Sequence, residues 1–173
     1  IGSGGGVNST AIQLGRHLGA EVHVVAGGSE KAQRAKELGA ALVVDYKTDE
    51  AWHKPLFAAT ERRGYDVIID NVGRATWKQS LRLAGIGGRI VTVGNTSGPL
   101  AETDVRFIFT RQLSVLGSTM GSHADFAAVL ELLERGALKP IIHCELPLSE
   151  GRRGHEIIER GEMFGKVVLR PDY

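Results

Sequence analysis

The sequence predicts an α/β fold built on a doubly wound parallel sheet. Strand-like and helix-like segments alternate with a period of about 25 to 35 residues, the rhythm of strand–helix–strand units. The strand segments are short and rich in valine and isoleucine, as in residues 21–26, 66–70 and 89–93. That composition suits strands covered by helices on both faces. Right-handed crossovers then wind the sheet, and ligands in such sheets lie at the carboxyl ends of the strands. The loops to inspect for function therefore follow Ile1, Ala26, Val44, Asp70, Val93 and Leu116.

Each element has its own local signal. Val7, Ala11, Leu14 and Leu18 fall at helical spacing, and Gly19 stops that helix. A strand over 21–26 leads to a helix over 29–38, with Ser29 as N-cap and Gly39 as terminator. A third strand is expected at 41–44. Residues 49–63 are partly helical and interrupted by Pro55. A buried strand over 66–70 precedes a helix at 75–83, and Gly85-Ile86-Gly87-Gly88 reads as a turn. Strand 89–93, a short helix at 105–110 and strand 113–116 follow. Residues 124–135 form an amphipathic helix with Phe126, Val129, Leu130 and Leu133 on one face, ended by Gly136. The tail reads as strand 141–148, helix 150–160 and strand 166–169.

Composition excludes several classes of function. The chain has 173 residues and a formal net charge of +1, which argues against a nucleic-acid-binding arm or a polybasic membrane patch. Only 6% of residues are aromatic, too few for a base-stacking surface. Cys144 is the one cysteine, so neither an intrachain disulfide framework nor a multi-cysteine zinc site is expected. No apolar run is long enough to span a membrane, and no signal-like segment is visible. A cytoplasmic chain is therefore expected. Its first residue is Ile1, and a glycine-rich loop of this kind needs a strand before it. The chain is accordingly read as part of a longer protein whose first strand is largely missing.

Glycine is the outlier, at 23 residues, and it is concentrated at the start in Gly2-Ser3-Gly4-Gly5-Gly6-Val7-Asn8. This run stands between a strand stub and a helix, the position of a dinucleotide-binding loop. Glycines let the backbone turn tightly and approach a pyrophosphate without an intervening Cβ. The helix that follows offers N–H groups and a partial positive charge to the phosphates.

The run from Gly2 to Leu14 resembles the GxGxGVGxxAIQxA loop and helix of the medium-chain dehydrogenase/reductase family. It is similar, more narrowly, to the branch of quinone reductases and zinc-type alcohol dehydrogenases. Further segments agree in order along nearly the whole chain: 35–40, Val44-Asp45-Tyr46, 66–73, Gly88-Arg89-Ile90-Val91, 116–121 and 164–169. One departure is plain, since Asn8 stands where the pattern has its last glycine. The resemblance implies a Rossmann-type dinucleotide-binding domain over 1–139. Residues 140–173 would be the C-terminal part of a catalytic domain that otherwise lies outside this chain. It also implies an oxidoreductase that transfers hydride between nicotinamide and a small carbonyl, alcohol, enone or quinone. These 173 residues alone are expected to be inactive.

The cofactor-binding residues expected on the glycine loop are Gly4, Gly5, Gly6 and Val7. By the resemblance, the nicotinamide half meets Asn71, Val72, Val93, Gly94 and Gly117. NADP(H) is expected over NAD(H), because an acid that would end the 21–26 strand and hold the ribose hydroxyls is missing from Val25-Ala26-Gly27-Gly28. Ser29 and Lys31 follow at a helix N-terminus, where donors and positive charge attract a 2′-phosphate. In quinone reductases a lysine and a tyrosine matching Lys31 and Tyr46 frame that phosphate.

Other constellations carry less. His143 and Cys144 are adjacent but lack companions for a zinc site. Zinc is expected, if anywhere, outside this chain. No residue stands out as a catalytic acid or base. A methyltransferase is disfavoured by the same missing acid after 21–26, and a non-enzymatic redox-sensing module shares the fold and stays open. A homodimer is expected through the edge strand 113–116, which carries no charge, proline or cover.

Overall fold

The computed structural model describes residues 1–2 and 4–171. Ser3 of the glycine run lies outside the described residues, as do the last two. The first half of the chain forms α1 (Gly6–His17), β1 (His23–Ala26), α2 (Ser29–Glu37), β2 (Leu42–Asp45), α3 (His53–Ala59), β3 (Tyr65–Asp70) and α4 (Trp77–Leu83). Then come β4 (Ala84–Thr92), α5 (Val105–Thr110), β5 (Ser114–Gly117), α6 (His123–Glu134), β6 (Ile142–Pro147), α7 (Gly151–Glu159) and β7 (Lys166–Arg170). Every strand pairing is parallel: β1 with β2, β3 with β4, β4 with β5, and β6 with β7. The α/β class with parallel sheets is therefore as the alternation predicts. The chain divides into two compact units, Ile1–Gly2 with Tyr46–Ser122 and Ser3–Asp45 with His123–Tyr173.

In the unit containing the glycine loop, β1 and β2 pair in register from His23 beside Leu42 to Ala26 beside Asp45. Ile12 of α1, Val24 of β1, Ala35 of α2 and Ala40 form one buried cluster, with Val22, Leu38 and Val43 packed against it. Burial of such side chains contributes roughly 1.5–3 kcal/mol each for the larger ones. The small residues let the elements approach: a Cβ at Gly15 would stand 2.8 Å from Val22 Cγ2. Gln13 ties α1 to residue 139 twice, its Nε2 donating to Lys139 O (3.0 Å) and its Oε1 accepting from Lys139 N (2.9 Å). In the same unit α7 lies over β6 and β7, with Gly154 against Val167, Leu169 and Leu146.

The other unit is a three-stranded sheet in the order β3-β4-β5. Ile68 and Ile90 are buried on it, as are Leu81 and Leu83 of α4 and Leu56 of α3. Two sequence expectations change here. Pro55 does not interrupt a helix, because it falls in the first turn of α3, where no intrahelical N–H is needed. Gly85-Ile86-Gly87-Gly88 is not a separate turn but part of β4. The register against β3 jumps there, from Tyr65 beside Ala84 to Val67 beside Arg89, so the run bulges out of the strand; a Cβ at Gly85 would meet Arg63 O at 2.8 Å and one at Gly88 would meet Tyr65 O at 2.8 Å, while Gly87 has φ of 72° and open space around it.

One further expectation is corrected at a helix end. Gly28, not Ser29, is the N-cap of α2, with φ of 104° that suits glycine. The helix expected over 124–135 is present as α6, and of its apolar stripe Phe126 is 64% exposed while Leu133 is half-buried. No helix among the described residues is long and apolar enough to cross a membrane.

Candidate dinucleotide site

The glycine loop runs into α1, and the Ser9 N–H bond to Gly5 O (3.1 Å) marks the first closed turn. The N–H groups before it are those a helix cannot satisfy internally. Gly5 is the N-cap, no side chain caps it, and no atom stands within 4 Å of where a Cβ would be. Gly4 and Gly6 are different, because lysine side chains cross the space a Cβ would take. At Gly4 the Lys31 Nζ would be 3.0 Å away and Met163 O 3.1 Å; at Gly6 the Lys166 Nζ would be 2.7 Å away. Two ammonium groups thus lie against Gly4 and Gly6, two residues apart on either side of the N-cap of α1. That arrangement favours an anion with several negative oxygens. Asn8, the departure from the glycine pattern, is buried in the first turn of a regular helix, and Val7 is exposed beside it.

The segment 161–166 closes over this loop within the same unit. Gly165 N donates to Gly4 O (2.8 Å), and Lys31 Nζ donates to Gly161 O (2.6 Å). Phe164 is buried beneath the Arg34 guanidinium, which lies 5.3 Å from the ring centre. Lys166 was not singled out from the sequence. Sequence spacing carries no signal for it, and the structure supplies the reason for its position: Gly165 before it has φ of 100°, and a Cβ there would collide with the Ile141 carbonyl. Only glycine fits the turn that delivers the next residue to the loop.

At the end of β1 the structure adds a second residue that sequence reasoning missed. Parallel register brings Asp45 beside Ala26, and Asp45 Oδ1 accepts the Gly28 N–H at 2.9 Å. A carboxylate does reach this end of the strand pair, from the neighbouring strand, and it is engaged with the backbone. Ser29 is exposed at the first position of α2, and Lys31 sits two residues on. Tyr46 belongs to the other unit and is 47% exposed.

The loops after β3, β4 and β5 all belong to that other unit, and they are stitched together. Asp70 ends β3 and is 1% exposed. Its Oδ1 accepts Val72 N (2.9 Å) and Gly73 N (3.1 Å), and its Oδ2 accepts Ser80 Oγ (2.6 Å). Thr76 Oγ1 lies within 3.0 and 2.9 Å of the two oxygens. On the opposite side of the turn, Val72 O accepts Ser97 N (2.8 Å) and Ser97 Oγ (2.6 Å), and Asn71 O accepts Thr96 N (3.3 Å). Val93 N donates to Asp70 O (3.1 Å), and Ser118 N donates to Thr92 O (3.0 Å). Gly94 packs against Asn71, whose carbonyl oxygen would be 3.2 Å from an added Cβ. Nothing stands within 4 Å of a Cβ at Gly117. Asn71, Val72, Val93 and Gly94 are thus brought together, with most backbone groups of the 71–73 turn already bonded.

The sequence model of the zinc-binding dehydrogenase family matches residues 6–135. The chain belongs to that family. It is 32% identical over 97% of its length to a zinc-type alcohol dehydrogenase-like protein of Leptosphaeria maculans, and covers 49% of that protein. It is 30% identical over 96% of its length to a quinone oxidoreductase of Pseudomonas aeruginosa, covering 54% of it. Among solved structures, an NAD-dependent alcohol dehydrogenase superposes with a TM-score of 0.90 at 37% identity, over 98% of this chain and 49% of the other. A crotonyl-CoA carboxylase/reductase in complex with NADP superposes at 0.88 with 25% identity, over 95% and 47%. The chain spans about half the length of the relatives it matches. It is thus a cofactor-binding part of a medium-chain dehydrogenase/reductase, as the glycine run implies.

Zinc in the family's name finds no matching donor set here. Among the described residues no three of His, Cys, Asp and Glu come together as a metal site. No step through zinc is assigned to this chain. His53 is held below the ordinary histidine range, first by burial and then by the positive charges of Arg82 and Lys54, against the opposing pull of Asp49.

Proposed function

We propose that this chain binds a nicotinamide dinucleotide for an oxidoreductase that moves hydride to or from a small carbonyl, alcohol, enone or quinone. The observation that carries the proposal is the glycine loop with Lys31 and Lys166 laid across Gly4 and Gly6. A bound dinucleotide supplies the hydride chemistry, and the protein supplies binding and orientation. Gly4, Gly5, Gly6 and Val7 hold the pyrophosphate through the start of α1. Lys166 adds positive charge there. The family relationship supports assigning the nicotinamide half to Asn71, Val72, Val93, Gly94 and Gly117.

NADP(H) is preferred over NAD(H) in this reading. β1 ends without an acid, and the nearby Asp45 carboxylate is engaged with Gly28 N–H. Ser29, Lys31 and Tyr46 are the residues assigned to the 2′-phosphate. A charge-assisted hydrogen bond contributes about 1.5–3 kcal/mol. Lys31→Ala in the full-length protein should therefore weaken NADPH binding by about tenfold or more, and NADH binding much less. Calorimetric titration of both cofactors checks this. Equal losses would return Lys31 to its bond with Gly161 O alone.

A further inference from the structure

Asp70 stands at the centre of a hydrogen-bond network in the unit that holds β3, β4 and β5. Its carboxylate is buried, and donors reach it from Val72 N, Gly73 N, Thr76 Oγ1 and Ser80 Oγ. The donors come from two places. Val72 and Gly73 belong to the turn after β3, while Ser80 lies inside α4. The carboxylate therefore fastens the turn to the helix that follows it. Gly73 has φ of 82°, and a Cβ there would stand 3.0 Å from Gly98 O, so the turn is also pressed against the 95–98 loop. That loop holds the turn's outer carbonyls through Thr96 and Ser97. A change at the carboxylate is passed on to residues 71–73 and to the 93–97 loop that is hydrogen-bonded to them.

We propose that Asp70 is a positioning residue for the nicotinamide half of the cofactor: it fixes the 71–73 turn, and with it the 93–97 loop, before the cofactor arrives. The inference rests on the nicotinamide reading given above. It goes beyond that reading by naming a residue that touches no ligand and acts only through the backbone it holds. The half-buried turn without its acceptor leaves two N–H groups unpaired and free to rotate away. The loss falls on the part of the cofactor that meets this turn. The glycine loop and Lys166, which hold the phosphates, lie in the other unit and are untouched.

The experiment compares two probes on the full-length protein: NADPH, and 2′-phospho-ADP-ribose, which lacks nicotinamide. Asp70→Ala should raise the Kd for NADPH by about fivefold or more and leave that of 2′-phospho-ADP-ribose within about twofold. Asp70→Asn keeps an oxygen for Val72 and Gly73 N–H and should restore NADPH binding to near the wild-type value. If Asp70→Ala does not fold, Thr76→Val carries the same test, since it removes the hydroxyl that steadies both carboxylate oxygens. Equal weakening of both probes in the folded variant, or no weakening of either, overturns the positioning role. A wild-type protein that binds neither probe overturns the dinucleotide reading itself, which is a separate result.

Discussion

Glycines in this chain divide into those that leave open space, where the proposed cofactor would sit, and those that make room for the protein itself. Gly5 is of the first kind, with an ordinary φ of −88° and open space where a Cβ would stand. Gly165 is of the second, with φ of 100° and the Ile141 carbonyl where its Cβ would be. The two should respond oppositely to alanine. Gly165→Ala should cost more than about 2 kcal/mol, combining left-handed strain with a backbone collision. Gly5→Ala should cost less than about 1 kcal/mol, the difference between the two residues as an N-cap. It should nevertheless weaken cofactor binding, because the new methyl occupies the space meant for phosphate. Urea denaturation of both variants, with NADPH titration of the second, checks the pair. Loss of stability in Gly5→Ala without loss of binding would reverse the assignment. At this scale the sequence showed the glycine run but not Lys166 or Asp45. Both depend on contacts between segments far apart in the chain, which local spacing does not carry.

Among the elements, β5 stands out. It is the edge of its sheet, and all four of its residues are exposed, with Val115 at 41%. Edges of native sheets are normally blunted by charge, proline or cover, and β5 has none in its sequence. We propose that a second copy of this chain pairs there. Val115→Lys places a charge on the strand and should shift the full-length protein from dimer to monomer in light scattering. A dimer that persists would place any interface elsewhere. The elements also show where periodicity stops informing. The stripe on α6 correctly marks a helix but says nothing about whether its own unit covers that stripe. The glycines at 85–88 look like a turn because glycine is the commonest turn residue. Here they lie in a bulge of β4, where Gly85 and Gly88 come too close to neighbouring backbone for side chains and Gly87 takes a positive φ. Pro55 looks like a breaker until the helix is seen to start two residues before it.

For the whole chain, the fold class was legible because alternation of buried strands and helices leaves few arrangements, and parallel pairing follows from helical crossovers. The family was legible because its loop and helix pattern is physically constrained at nearly every position. The function proposed here depends on a single event, the seating of a dinucleotide on the glycine loop. Titration of the full-length protein with NADPH and with NADH, followed by calorimetry, tests this most directly. The account predicts saturable binding of one cofactor per chain, tighter for NADPH. Absence of saturable binding by both would contradict it.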